Sequence, residues 1–156
     1  MSILAIGGAG FIGRRLLPIL AKAGHEVTCM DIDVSGASAA FADLGNSVKV
    51  VRGDVTQFDD VIGAMQESKA ERVINLSYFI GDLAPHVAFK LDIQGMDNCF
   101  EAARRMGVKH TVFASSLAVS GGQTEFGERP VHEKDERRGT TQYAVNKITN
   151  EWQAHD

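Results

Sequence analysis

At 156 residues the chain has the size of a single domain with room for a real core. Its 44% hydrophobic and 23% charged residues mark it as globular rather than disordered, and a formal charge of −4 with no basic block argues against a nucleic-acid or anionic-membrane surface. No apolar run is long enough to span a bilayer, and a first strand that starts by Ile3 leaves no room for a signal peptide, so the expectation is a cytoplasmic protein.

The predicted elements begin with an apolar run from Ser2 to Ile6, of strand length, which meets Gly7, Gly10 and Gly13 in the spacing G-x-x-G-x-x-G. A helix is expected from about Phe11 to Ala23, ended by Gly24 and carrying Pro18 inside it. Strand, tight turn and helix start are the order that a diphosphate requires: glycines let the backbone approach it closely, and free N–H groups at the helix start attract the anion. Gly7 serves the turn, Gly10 the approach and Gly13 the packing of helix on strand. A second strand, Glu26 to Met30, ends at Asp31, about 20 residues on as that fingerprint demands. A carboxylate here can accept from both hydroxyls of an adenosine ribose and would repel a 2′-phosphate, which favours NAD over NADP; the plainer reading is a charge that caps a strand end.

A short helix from Ala37 to Leu44 and a third strand, Val48 to Val51, follow. In Gly53-Asp54-Val55, Asp54 could accept from an adenine amino group while Val55 lies against the ring; equally, Asp54 could lead into the helix that begins near Phe58. The fourth strand, Glu71 to Leu76, is apolar at its centre, as burial on both faces requires. Its end, Leu76-Ser77-Tyr78, points where a cofactor would pass. A long helical stretch from about His86 to Met106 and a fifth strand, Lys109 to Ser116, complete an alternation that predicts a parallel sheet with right-handed crossovers, in the Rossmann-type order 3-2-1-4-5. The aperiodic stretch from Leu117 to Gly139 reads as a long functional loop, and Thr140-Thr141 cap a last helix. Cys29 and Cys99 read as small buried apolar groups, with no spacing that fits a disulfide or a metal site.

On that last helix Tyr143 and Lys147 are spaced i, i+4 and share a face. An ammonium near a phenol favours the phenolate, which can act as a general base near neutral pH. The pair alone would also suit a surface helix. It gains force from Ser115-Ser116 at the end of strand five, where a hydroxyl could bind the same substrate oxygen.

The glycine loop, Gly53-Asp54-Val55, the stretch from Val112 to Gly121 and Tyr143-x-x-x-Lys147 together resemble the extended short-chain dehydrogenase/reductase superfamily. More narrowly, they are similar to the NAD-dependent epimerase/dehydratase family, which acts largely on nucleotide sugars, and the resemblance covers essentially the whole chain. It implies Ser116, Tyr143 and Lys147 as the catalytic set: the serine holds the substrate hydroxyl, Tyr143 takes its proton, and Lys147 binds the nicotinamide ribose. It implies cofactor contacts at Phe11, Ile12, Asp31, Asp54, Val55 and Leu76-Ser77-Tyr78.

Five positions depart from the family pattern. Ile6 replaces a threonine before the first glycine, Ser120 replaces the tyrosine of V-Y-G, and Asp92 stands where an asparagine contacts the cofactor. Leu117-Ala118 occupy the place of the acidic pair of sugar dehydratases, which ranks epimerase or dehydrogenase chemistry above water elimination. The chain also stops nine residues after Lys147, where relatives continue into a substrate domain; the expectation is the N-terminal, NAD-binding domain of a longer protein. The resulting reading is an NAD-dependent nucleotide-sugar epimerase or dehydrogenase with no metal and with self-association as a homodimer, through the helices beginning near His86 and Thr140 if the resemblance extends that far. A non-catalytic NAD-binding module and an NADP-dependent carbonyl reductase of the same superfamily are the alternatives.

Overall fold

Each of the five expected apolar runs forms a strand: β1 (Ser2–Ile6), β2 (Glu26–Asp31), β3 (Val48–Arg52), β4 (Arg72–Asn75) and β5 (His110–Phe113). The computed structural model describes residues 1–79, 81 and 83–155. All neighbouring strands pair in parallel in the order β3-β2-β1-β4-β5, the predicted order, with Ile3 opposite both Val27 and Arg72, Val27 opposite Val48, and Val73 opposite Thr111. β1 is the middle strand and all five of its residues are buried, which is why it reads as apolar sequence from Ile3 onward.

The side-chain period of two divides the core between the two faces of the sheet. Leu4 and Ile6 join Met30, Val61, Met65, Val73, Cys99 and Ala102 under α3 (Phe58–Ser68) and α5 (Gly95–Met106). Ala5 joins Leu17, Val27, Cys29, Phe41 and Val48 under α1 (Gly13–Lys22) and α2 (Val34–Phe41). Burial raises both thiols to about 12, so Cys29 and Cys99 are inert apolar fillers here.

Several boundaries differ from the periodicity: β4 and β5 are shorter at both ends than expected, β5 stopping at Phe113 rather than Ser116, and α2 ends at Phe41 rather than Leu44. α1 starts at Gly13 rather than Phe11 and runs through Pro18 to a C-cap at Ala23. α2 starts at Val34, three residues early, because the Asp33 carboxylate caps it by accepting from the Gly36 N–H. The stretch before α5 is α-helical over α4 (Pro85–Ala88) and then widens into a π-helical segment at Phe89–Gln94, with helical dihedrals continuous across both joins. The loop before α6 (Gln142–Gln153) is ordered by its own polar contacts. Arg129 grips Asp135 with both guanidinium nitrogens at 2.8 and 2.9 Å, and the Arg138 and Gly139 N–H groups donate to the Val119 carbonyl. Among the described residues no helix is long and apolar enough to cross a membrane.

Candidate active site

The glycine loop sits at the carboxyl ends of β1 and β4, where the strand order reverses. Gly7 leaves β1 with φ +72°, and a Cβ there would lie 2.6 Å from the Ser77 nitrogen, so the loop packs straight onto the end of β4. At Gly13 a Cβ would come within 2.1 Å of the Gly8 carbonyl oxygen, which makes this the tightest seam between loop and helix. Gly10 is roomier, at 3.3 Å from the Gly7 oxygen. The Gly7 N–H donates to the Met30 carbonyl, the Gly10 N–H to the Gly7 carbonyl and the Ala9 N–H to Asp31 Oδ2. The N–H groups of Phe11 and Ile12, at the start of α1, find no acceptor among the described residues. Two free amides at a helix N-terminus are the polar half of an anion site.

Beside the loop lies a cleft of about 410 Å³ lined by Gly7, Met30, Asp31, Asp54, Val55 and Ser77, and closed on the far side by Val87, Lys90 and Leu91. Asp31 takes the Ala9 N–H on Oδ2 and the Asp33 N–H on Oδ1, at 2.9 and 3.1 Å, so it braces the loop while keeping a free lone pair on each oxygen for a ribose. Asp54 gives Oδ1 to the Thr56 N–H and hydroxyl, the local turn role, and lines the cleft as well. Val55 is buried between the cleft and α5, and its carbonyl accepts from Asn98. The Leu76 N–H is spent on the Ile6 carbonyl, and Ser77 donates its hydroxyl to Asn75 Oδ1. These groups fit an NAD molecule laid across the sheet end: free amides for the diphosphate, a carboxylate for the ribose, an apolar wall for the base.

The second cluster is built from side chains. Tyr143, Asn146, Lys147 and Asn150 recur at i, i+3, i+4 and i+7 along α6, whose N-terminus is capped by Thr141. Lys147 is only 3% exposed, and its Nζ donates to the Ala114 carbonyl at 2.6 Å, just past β5. The ammonium lies 3.3 Å from the centroid of the Tyr78 ring and 5.8 Å from that of Tyr143. The two rings meet edge to face with centroids 5.4 Å apart. Asp92, 4% exposed in the π-helical segment, accepts from Asn146 Nδ2 on Oδ2 and from Asn150 Nδ2 on its carbonyl. Burial raises the Asp92 carboxyl against the pull of Asn146 and Lys147, and burial lowers Lys147 to about 8 against the pull of Asp92.

Ser116 is the N-cap of a 3-10 turn over Leu117–Ser120, and its Oγ accepts from the Ala118 N–H at 3.2 Å. That turn is pinned to the start of α6, since a Cβ at Gly139 would lie 2.5 Å from both the Ala118 oxygen and the Ala144 Cβ. Ser115 faces away to Glu151, which also holds Arg137. Both serines line a cleft of about 580 Å³ with Val131, His132, Asp135 and Arg137. Among the described residues no group of three or more His, Cys, Asp or Glu is placed to hold a metal ion.

The family model described as the NAD dependent epimerase/dehydratase family matches residues 3–156. The chain belongs to that family. A UDP-glucose 4-epimerase of Lacticaseibacillus casei is 26% identical over 97% of this chain and 45% of its own length. A sterol-4-alpha-carboxylate 3-dehydrogenase of Saccharomyces cerevisiae is 28% identical over 86% of this chain and 38% of its own. The UDP-glucose 4-epimerase of Thermus thermophilus, solved in complex with NAD, has a TM-score of 0.87 and 28% identity, covering 99% of this chain and 50% of that one. The chain thus spans about half the length, or less, of the relatives it matches.

Within this epimerase/dehydratase-family chain, Asp92 faces α6 and its asparagines, and Tyr78 turns away from the glycine loop toward Lys147. Neither placement follows from the motifs. The signal for Asn146 and Asn150 was available, because their spacing puts them on the Tyr143 face.

Proposed function

We propose that this chain is the NAD-binding part of an epimerase or dehydrogenase that acts on a nucleotide sugar by hydride transfer. The supporting observation is that the glycine-loop cleft and the Tyr143–Lys147 face open from the same end of one sheet, joined through Ser77 and Tyr78. The family's NAD dependence and a structural relative solved with NAD support the cofactor. Asp31 accepts from the adenosine ribose, and the Phe11 and Ile12 amides hold the diphosphate. Ser116 Oγ orients the substrate hydroxyl, and Tyr143 accepts its proton as the carbon is oxidised. NAD, when bound, supplies the acceptor for the hydride that leaves that carbon. Lys147 fixes the nicotinamide ribose and keeps a positive charge beside Tyr143.

Calorimetric titration with NAD and NADP, using Gly10→Val as control, tests the cofactor. Saturable NAD binding that the variant loses is the expected result; binding of neither dinucleotide overturns the reading for this chain. Release of reduced nicotinamide, or product inversion, with UDP-sugars in wild type but not in Tyr143→Phe tests the chemistry.

A further inference from the structure

Lys147 is an almost fully buried ammonium, yet among the described residues it has a single hydrogen-bond acceptor, the Ala114 carbonyl, and no carboxylate within ion-pair distance. A buried charge so sparsely paired needs another source of stabilisation. The face of Tyr78 supplies it: the ring centroid is 3.3 Å from Nζ, well inside the range of a cation–π contact and much nearer than the Tyr143 ring at 5.8 Å. The same ring receives Tyr143 edge to face at 88°. Its hydroxyl is buried with no hydrogen-bond partner among the described residues, as is Oδ1 of Asp92. The polar end of the ring bears on the Asp92 carboxyl, while its face and edge meet Lys147 and Tyr143. Its backbone follows Ser77, against which Gly7 is packed, so the ring stands on the same short segment that seats the glycine loop.

We infer that Tyr78 is a positioning residue that carries the Lys147 ammonium on its ring face and sets the lysine's place beside Tyr143, linking the glycine loop to the proposed reactive pair. Its functional meaning rests on the reading of Tyr143 and Lys147 given above; the contact itself does not. The titratable groups that face the ammonium are Tyr78 from the end of β4, Tyr143 from its own helix and Asp92 from the π-helical segment. Burial, followed by the charge of Asp92, pushes the Tyr78 hydroxyl well above its ordinary range, so the ring stays a neutral phenol wherever Lys147 is charged. Support from a neutral ring is independent of pH, unlike support from the carboxyl of Asp92.

The test is carbon-13 NMR of lysine-labelled protein, with Lys147 assigned among the seven lysines by Lys147→Arg. In the wild-type chain the Lys147 ε-methylene protons are expected upfield of the other lysines through the ring current of Tyr78; their absence from that region overturns the inference without any Tyr78 variant. Tyr78→Leu should lower the Lys147 titration midpoint by about one pH unit. Tyr78→Phe, which keeps the face and removes the hydroxyl, should leave it in place. A Leu variant that titrates like wild type, or a Phe variant that falls as far as Leu, overturns the inference. If these signatures hold while Lys147→Ala leaves hydride transfer unchanged, the catalytic reading fails and the positioning of Lys147 by Tyr78 stands.

Discussion

The two halves of the site are specified by opposite means. In the glycine-loop cleft the backbone is the working surface, and the sequence requirement is the absence of side chains at Gly7 and Gly13. In the Tyr143–Lys147 half the working groups are side chains held in burial by Tyr78, Asp92, Asn146 and Asn150. A requirement for absence leaves a fixed spacing in the chain, whereas burial of polar groups is negotiated between elements far apart. The Asn146 and Asn150 bonds to Asp92 span 54 and 58 residues.

The backbone half is most sensitive at Gly13. Gly13→Ala sets a methyl 2.1 Å from a backbone oxygen that has no means of moving aside, so a loss of about 3 kcal/mol or more is expected in denaturant unfolding. An Ala variant as stable as wild type would show that the loop has slack.

Lys147→Met probes the other half. On the proposed chemistry, hydride transfer should drop on the order of 10²- to 10⁴-fold, the range for losing an acid–base partner. Stability should move the other way. The folded pKa of about 8 lies below the ordinary 10.5, so the unfolded chain binds more protons between those values and wild-type stability rises with pH across that window. Below about pH 8 the penalty is fully present, and the variant should melt higher there, with a flatter curve above it. Parallel melting curves against pH would contradict the burial of a charged lysine.

Asp31→Ser should weaken NAD about 10- to 100-fold, the cost of charged hydrogen bonds to a ribose, and narrow the preference against NADP. Equal losses for both dinucleotides in calorimetry would mean that Asp31 serves only to brace Ala9. The smallest effect marks a glycine with no such duty. Gly63 lies inside α3 with open space where its Cβ would be, so Gly63→Ala should stabilise the chain by about 0.5–1 kcal/mol in the same denaturant assay.

Most of the fold is legible in the sequence because β1 to β5 are short apolar runs whose alternation with helices implies a parallel sheet, and the glycine-loop fingerprint at β1 favours the order 3-2-1-4-5. The glycine loop is equally legible, as is the Tyr143–Lys147 spacing. The early start of α2 is hidden because Asp33 looks like an ordinary loop residue until its carboxylate meets the Gly36 N–H. The inward turn of Asp92 is hidden because a motif position names a residue without naming which neighbour it faces. Tyr78 reads as a cofactor contact, since its strand end points the right way; only the packing of α6 against the end of β4 shows the ring beneath Lys147.

The π-helical segment at Phe89–Gln94 also acts as a phase shifter. Each of its hydrogen-bonded turns holds one residue more than an α-turn, so deleting a single residue there would let the segment close to α geometry with the downstream face nearly in place, whereas the same deletion at the start of α5 would rotate everything after it by about 100°. Cys99 and Ala102 would swing off the sheet, and a polar face of α5 would take their place. The segment is therefore slack in the register of the whole helix, and a one-residue deletion should be tolerated better there than inside α5.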